Sequence, residues 1–288
     1  MLLVLTRWLF IASLLSSFGA ALFLRVVPPS VSASIGRRCR RVAGLSIAVA
    51  LISGLAWLLV EAGAIAETSR LAETLGALPA VLLGTWFGTV LLAQGIALVG
   101  AGTALALFPR RRALPAGLAA AATLLEAGPS HAFAMSDAPS PLLLSQALHL
   151  VAAGAWLGGL VPLLIVVWQA PLDAAQYAAR AFSTLGTVCV AVLIVTALYQ
   201  GTVLSGGLAG LTGTGYGAML LAKATLFALL IALAAINRLR LAPALTGPTG
   251  ERSRRVLGFS ILIETVIGLA VVLAASVLAS LEPGMHTG

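Results

Sequence analysis

A small set of side chains in the sequence could bind a metal ion. The three histidines are His131, His149 and His286, and two methionines, Met135 and Met285, lie close to two of them. Imidazole and thioether ligands without a closed set of thiolates suit copper better than structural zinc. A lone histidine in a loop is more often simply solvated, so spacing alone leaves both interpretations open.

The composition predicts that these residues belong to a membrane protein. Of the 288 residues, 60% are apolar and 9% are charged, and the mean hydropathy is +1.07. So few charges cannot cover a water-exposed surface, which excludes soluble folds, secreted disulfide scaffolds and disordered chains. The high isoelectric point follows from basic loops beside a membrane, so we expect lipids and not nucleic acid as surroundings.

Repeated apolar runs of about 20 residues are long enough to cross a bilayer. They predict an all-α polytopic membrane helix bundle of eight transmembrane helices, forming one integral-membrane domain over 1–288. The predicted spans are 2–24, 42–60, 80–108, 113–127, 142–168, 183–204, 217–237 and 256–281. The pairs Gly84-xxx-Gly88 and Gly154-xxx-Gly158 predict faces where helices pack closely.

The distribution of charge predicts the orientation of the bundle. Fourteen of the 17 basic residues fall in four alternate loops, whereas the other loops hold most of the acidic residues and only Arg70. The positive-inside rule therefore makes the Arg-rich loops cytoplasmic and both termini periplasmic. The weakest span, 113–127, is needed for this pattern, because without it the Arg-rich loop 237–255 would face outward.

Three basic residues within or beside the spans are predicted to share one depth. Arg7, His149 and Lys223 each lie about 10 Å below the outer surface, counted along their helices. Polar groups at membrane depth are costly, so each is a candidate for function. The alternative is a structural salt-bridge layer, in which Glu61 or Glu126 at the outer helix ends separates the positive charges.

Glu264 lies in the inner half of the last predicted span, with no basic residue at its depth. It is expected to be protonated, or bonded to a residue such as Gln94 or Ser53. Such a group could carry a proton or an ion, and Gln94 is the other polar candidate along a transport path.

Three further motifs do not support other functions. The stretch 214–217 resembles a channel filter, but it is a single copy in a Gly-rich loop. A haem between helices remains a minor alternative, because it needs two facing ligands and His149 is the one histidine inside a span. Ser130, His131 and Asp137 lie in one short loop without an oxyanion element, so we do not expect an enzyme.

In the region 130–164, His131-Ala132 precedes a span that reads ALHLVAAGAWLGGL from Ala147 to Leu160. This region resembles the CopD family of bacterial inner-membrane copper-resistance proteins. The resemblance extends over nearly the whole chain and is most specific over 145–281. Its other matching positions are Arg7-Trp8, Phe182-Ser183, Tyr216-Gly217, Lys223, Asn237-Arg238, Pro243, Glu264 and Gly268.

This resemblance implies a copper site that faces the periplasm and a role in moving copper across the bacterial inner membrane. His131 and His149 are the implied ligands, with Met135 and the Met285-His286 tail as weaker ones. A periplasmic copper-binding protein is the implied partner. Trp156 shares a helix face with His149 and lies about 10 Å deeper, where it could gate the path or simply pack.

The competing prediction is a copper receptor or cuproenzyme-assembly factor that does not transport. A path inward needs ligands below the outer layer, and the sequence offers only Gln94, Glu264, Cys189 and Cys39 there. The two cysteines have no CxxC spacing and predict no disulfide.

Overall fold

The computed structural model describes residues 1–25, 31, 33–128, 140–204 and 214–281. These residues form α-helices and their connections, without a β-strand, which confirms the predicted all-α membrane bundle. The first half contains α1 (Leu2–Phe23), α2 (Ala33–Ile65), α3 (Leu71–Gly84), α4 (Trp86–Leu107) and α5 (Ala113–Leu125). The second half contains α6 (Ser140–Leu157), α7 (Leu160–Gln169), α8 (Leu172–Leu204), α9 (Gly215–Ile236) and α10 (Gly250–Leu278).

Seven helical stretches of the described chain are long and apolar enough to cross a membrane. They correspond to seven of the eight predicted spans. The predicted fourth span is represented by α5, which has 13 residues and is therefore only about 20 Å long. The count of eight and the side on which the termini lie remain predictions.

The third predicted span, 80–108, is divided into α3 and α4 at Thr85. Thr85 adopts an extended backbone and caps α4, since its Oγ1 accepts a hydrogen bond from Gly88 N at 3.0 Å. A Cβ atom on Gly88 would lie 2.2 Å from the Val81 carbonyl oxygen, whereas one on Gly84 would meet nothing within 4 Å. Of the Gly84-xxx-Gly88 pair, only Gly88 packs closely, and it does so against the preceding helix α3 at this break, so the prediction of a packing face is wrong for Gly84.

Helix α1 lies at the centre of the bundle and packs against α2, α5, α6, α7 and α10. Its crossing with α6 is very close, because a Cβ atom on Gly19 would lie 2.2 Å from the Gly154 oxygen and 2.5 Å from the Gly158 Cα. The predicted packing role of Gly154-xxx-Gly158 is confirmed. Helix α1 is also tied to α10, since Trp8 Nε1 donates to the Leu269 oxygen at 3.0 Å.

The Arg-rich loops meet at one end of the bundle, which we call the Arg-rich end. Arg112 Nη1 donates to the Leu24 oxygen at 2.7 Å, and Arg38 Nη1 donates to Gln169 Oε1 at 2.8 Å. These bonds join the end of α1, the start of α2, the α4–α5 turn and the end of α7. Since both Arg112 and Gln169 lie at this end, α5 leads away from it and α6 with α7 returns. We call the opposite end the outer end.

Candidate functional site

Helices α6, α8, α9 and α10 surround a cavity of about 680 Å³ toward the outer end, which we call the outer cavity. Most of its lining is apolar, and its polar side chains include His149, Gln200, Tyr216 and Lys223. Cavities of this size and character are typical of binding sites for ions and small molecules. Arg7 is not part of this lining.

The imidazole of His149 is held by Thr196 on α8. His149 Nδ1 lies 2.9 Å from Thr196 Oγ1, and Thr196 Oγ1 donates its proton to the Val192 carbonyl oxygen at 2.7 Å. The Val192 oxygen can only accept, so with the hydroxyl proton on that bond Thr196 accepts from His149, and the imidazole proton is assigned to Nδ1. This tautomer leaves Nε2 as a free lone pair, which is the form in which histidine binds a metal.

Lys223 lines the same cavity from α9. Within the described residues the ion pairs are Arg70–Glu73 and Arg254–Glu251, both at the ends of helices. Lys223 therefore has no carboxylate partner in the part of the chain that the structure describes. The part of the salt-bridge alternative that needs a carboxylate beside Lys223 finds no support there.

Arg7 lies in the first half of the bundle, apart from the outer cavity. Its guanidinium carbon lies 5.2 Å from the centre of the Trp57 ring, a cation–π contact between α1 and α2. Its Nη1 atom and the Glu61 Oε2 atom are buried, and neither has a hydrogen-bond partner among the described residues. The structure thus assigns Arg7 to a different group of side chains from His149 and Lys223.

Gln94 belongs to a hydrogen-bond network between α4 and α5. Its Nε2 atom donates to the Ala122 oxygen at 3.1 Å and to Glu126 Oε2 at 2.9 Å. The expectation that Gln94 or Ser53 binds Glu264 is wrong, since the Ser53 hydroxyl donates to the Val49 oxygen of its own helix at 2.6 Å. Gln94 instead fixes α5 against α4.

Glu264 bonds to Asn237, a residue whose role the sequence did not reveal. The Asn237 Nδ2 atom donates to Glu264 Oε1. Both side chains line a second cavity of about 220 Å³, which we call the inner cavity and which lies between the outer cavity and the Arg-rich end. One signal was present: Asn237 and Glu264 are both positions at which the sequence resembles the CopD family.

Trp156 and Ile231 contribute to the lining of both the outer and the inner cavity. Trp156 is 2% exposed. Its ring meets that of Phe227 edge to face, with centroids 6.3 Å apart, and rests against Gly186 of α8. The side chain is therefore positioned where the sequence expected a gate, although packing alone would give it similar contacts.

The other predicted ligands, His131, Met135, Met285 and His286, lie outside the described residues. Within the described residues no three His, Cys, Asp or Glu side chains are grouped as a metal site. Cys39 and Cys189 are buried, and neither lines the outer or the inner cavity. Of the proposed inner ligands, only Glu264 reaches a cavity described here.

Comparison with known proteins decides the family. A family model described as the N-terminal domain of copper resistance protein D-like proteins matches residues 1–140. A second model, copper resistance protein D, matches residues 176–278. The chain belongs to the CopD family. These two matches cover both halves of the bundle, on either side of α6 and α7.

Relatives differ in how much of their length the chain matches. It is 28% identical to the inner membrane protein YebZ of Escherichia coli (strain K12), over 96% of this chain and 97% of that protein. It is 30% identical to copper resistance protein D of Pseudomonas syringae pv. tomato, over 49% of this chain and 49% of that protein. It is also 30% identical to the copper transport protein CutJ of Bacillus subtilis (strain 168), over 48% of this chain and 25% of CutJ. The chain thus spans only a quarter of CutJ.

No solved structure matches the chain significantly. This CopD-family member is a multi-pass protein of the inner membrane. Its similarity to YebZ, its family match and the seven long apolar helices of the described residues agree on this.

Proposed function

We propose that this CopD-family protein transports copper ions across the inner membrane and that copper enters it through the outer cavity. The observation that carries the proposal is the geometry of His149, whose Nε2 lone pair is free because Thr196 holds Nδ1. Neutral imidazole is a preferred copper ligand. The relatives named for copper resistance and copper transport support copper as the transported ion.

One imidazole is a poor copper site, so further ligands are required. We propose that His131 and Met135 supply them, since their segment directly precedes α6 and His149. Met285 and His286 are the next candidates, because they follow α10, and Leu278 at the end of α10 lines the outer cavity. A periplasmic copper-binding protein would deliver the ion at this outer end.

The proposed route continues inward past Trp156. The outer cavity, the Trp156 side chain and the inner cavity succeed one another towards the Arg-rich end, within the same group of helices. Copper would bind at the outer ligands and pass when the aromatic side chain moves. No chemical conversion is part of this proposal, and the protein acts as a carrier and not as an enzyme.

The second candidate function is a copper receptor or cuproenzyme-assembly factor that does not transport. It is favoured by the scarcity of soft ligands along the route, since Cys39 and Cys189 line neither cavity. Copper uptake by proteoliposomes that contain the purified protein distinguishes the two. Uptake supports the transporter, whereas tight copper binding without uptake supports the receptor.

The site itself is tested with His149→Ala and with the His131→Ala, His149→Ala double variant. Both should lose most of the copper affinity. Leu144→Ala is the matched control, because Leu144 lies on the same helix and is exposed on the bundle surface. Wild-type copper affinity in the double variant would show that the proposed site is wrong.

A further inference from the structure

The inner cavity contains a buried acid that copper binding at the outer cavity does not use. We infer that this cavity is a proton-binding site, in which Glu264 takes up and releases a proton while Asn237 holds its carboxyl group. The inference deepens the proposed function and rests on it, because it assigns the cavity to the same copper route.

Burial and an unmade hydrogen bond carry the inference. Glu264 is 3% exposed and Asn237 is 9% exposed, and both line the cavity. Asn237 donates through Nδ2 to Glu264, whereas its Oδ1 atom is buried and accepts no hydrogen bond from any described residue. A buried carbonyl oxygen without a donor is costly, so this oxygen is available to accept a hydrogen bond when a donor appears beside it.

A protonated Glu264 would be such a donor. The asparagine amide presents a donor on one side and an acceptor on the other. When Glu264 is ionised, Asn237 Nδ2 donates to the carboxylate. When Glu264 binds a proton, its new O–H can donate to Asn237 Oδ1 after the amide turns over, so one residue pair can bond in both states. The step adds or removes one proton and involves no oxidation.

The charges that face Glu264 explain how the proton would be coupled to copper. Arg238 is the one other charged residue among those that line the inner cavity, and its guanidinium donates to the Ser183 oxygen and to Thr187 Oγ1 on α8. The lining residues from α6, α7 and α10, apart from Glu264, carry no titratable group. Lys223 lines only the outer cavity, beyond Trp156.

This arrangement makes copper and the proton compete. With Glu264 ionised, its charge balances Arg238 and the inner cavity can admit a cation. With Glu264 protonated, the uncompensated Arg238 repels the cation. Oxygen ligands hold soft copper weakly, so an ion would pass through the cavity without being retained. Copper movement in one direction would then release or take up a proton at Glu264.

The surrounding backbone brings the inner cavity close to the Arg-rich end. Asn237 begins a π-helical turn, Asn237–Leu241, between α9 and the Arg-rich end, and such turns are frequent at functional sites. Arg238 is exposed in this turn while it also lines the cavity. The inner cavity is thus near the surface at the Arg-rich end, and Trp156 lines it on the side of the outer cavity.

Proton binding is tested without copper, by infrared difference spectroscopy of the purified full chain during a pH titration. In the wild-type protein a carboxylic-acid C=O band should appear as the pH falls. The band should be lost in Glu264→Gln and shifted in Asn237→Leu, which removes the amide. Glu251→Gln is the matched control, because Glu251 is an exposed acid on the same helix that pairs with Arg254. Identical spectra for Glu264→Gln and the wild type would overturn the inference.

Coupling is tested in proteoliposomes that contain copper outside and a pH-sensitive dye in the lumen. Wild-type copper flux should be accompanied by a change in luminal pH, which Glu264→Gln should lose while Glu251→Gln keeps it. Copper flux without a pH change in the wild type would overturn the inference and leave the proposed transport intact. Absence of wild-type copper flux would instead overturn the proposed transport, and the infrared titration would still decide whether Glu264 binds the proton.

Discussion

Thr196 Oγ1 lies 2.9 Å from His149 Nδ1 and thereby joins α8 to α6 at the outer cavity. The same hydroxyl bonds to the backbone of its own helix, through the Val192 oxygen at 2.7 Å. With its proton on this bond, the threonine accepts from the imidazole, which assigns the imidazole proton to Nδ1. A positioning residue of this kind fixes both the orientation and the tautomer of a metal-binding histidine.

Replacement of Thr196 by valine should weaken copper binding about 10- to 100-fold, the usual effect of removing a hydrogen-bond partner of a metal ligand. Titration of the purified protein with copper measures the change. Thr184→Val is the control, because Thr184 is an exposed residue of the same helix with a similar bond, to the Arg180 oxygen at 3.2 Å. Equal affinities of Thr196→Val and the wild type would mean that this hydrogen bond does not orient a copper ligand.

Replacement of Trp156 by alanine should open a passage between the two cavities that its side chain lines. We expect proteoliposomes with this variant to leak copper and protons without the coupling of the wild type. Trp156→Phe keeps an aromatic ring opposite Phe227 and should leak much less. If proteoliposomes with either variant leaked no more copper or protons than those with the wild type, and both variants eluted as folded protein, Trp156 would be a packing residue only.

Replacement of Gln94 by leucine should destabilise the protein without changing its copper affinity. Glu126 would lose its buried donor, which costs about 1–3 kcal/mol, but Gln94 lies in the α4–α5 network and outside the outer cavity. Thermal unfolding in detergent and copper titration measure the two effects separately. A loss of copper affinity at unchanged stability would return Gln94 to the transport route that the sequence suggested.

The sequence predicted the helices well because membrane spans are defined by length and apolar composition, which are local properties. The break at Thr85 could not be predicted from composition, because the apolar run continues through it. Only the threonine cap marks the start of a new helix there. The close crossing at Gly154 could be predicted, because small residues four positions apart allow two helix backbones to approach closely.

The partners of the buried polar residues were harder to predict. Thr196 and Asn237 lie on helices whose rotation and offset relative to His149 and Glu264 depend on the packing of the whole bundle. A depth count along separate helices placed Arg7 in one layer with His149, but it contained no information on which helices are neighbours. The structure shows Arg7 against Trp57 instead.

Replacement of Gly19 by alanine should destabilise the bundle, because the added methyl group would lie 2.2 Å from the Gly154 oxygen at the α1–α6 crossing. Overpacking of this kind costs about 1–3 kcal/mol. Gly44→Ala is the control: its new methyl group would meet nothing within 4 Å, and alanine favours a helix by about 1 kcal/mol over glycine. Thermal unfolding of both variants should therefore shift in opposite directions, and equal shifts would contradict the close crossing.

The remaining prediction is the topology, and in particular whether the segment of α5 crosses the membrane. Arg112 and Gln169 bond to residues at the same end of the bundle, so the chain between them must leave the Arg-rich end and return to it.

Single cysteines at Arg111, Ser136 and Thr249 report on this path in a protein whose buried Cys39 and Cys189 are replaced by alanine. Ser136 lies outside the described residues, in the segment between α5 and α6. An impermeant thiol reagent added to intact cells or sealed spheroplasts should label Ser136→Cys, whereas Arg111→Cys and Thr249→Cys should react only after the membrane is opened. Labelling of Arg111→Cys and Ser136→Cys from one side and of Thr249→Cys from the other would show that α5 does not cross, and would reduce the number of spans from eight to seven.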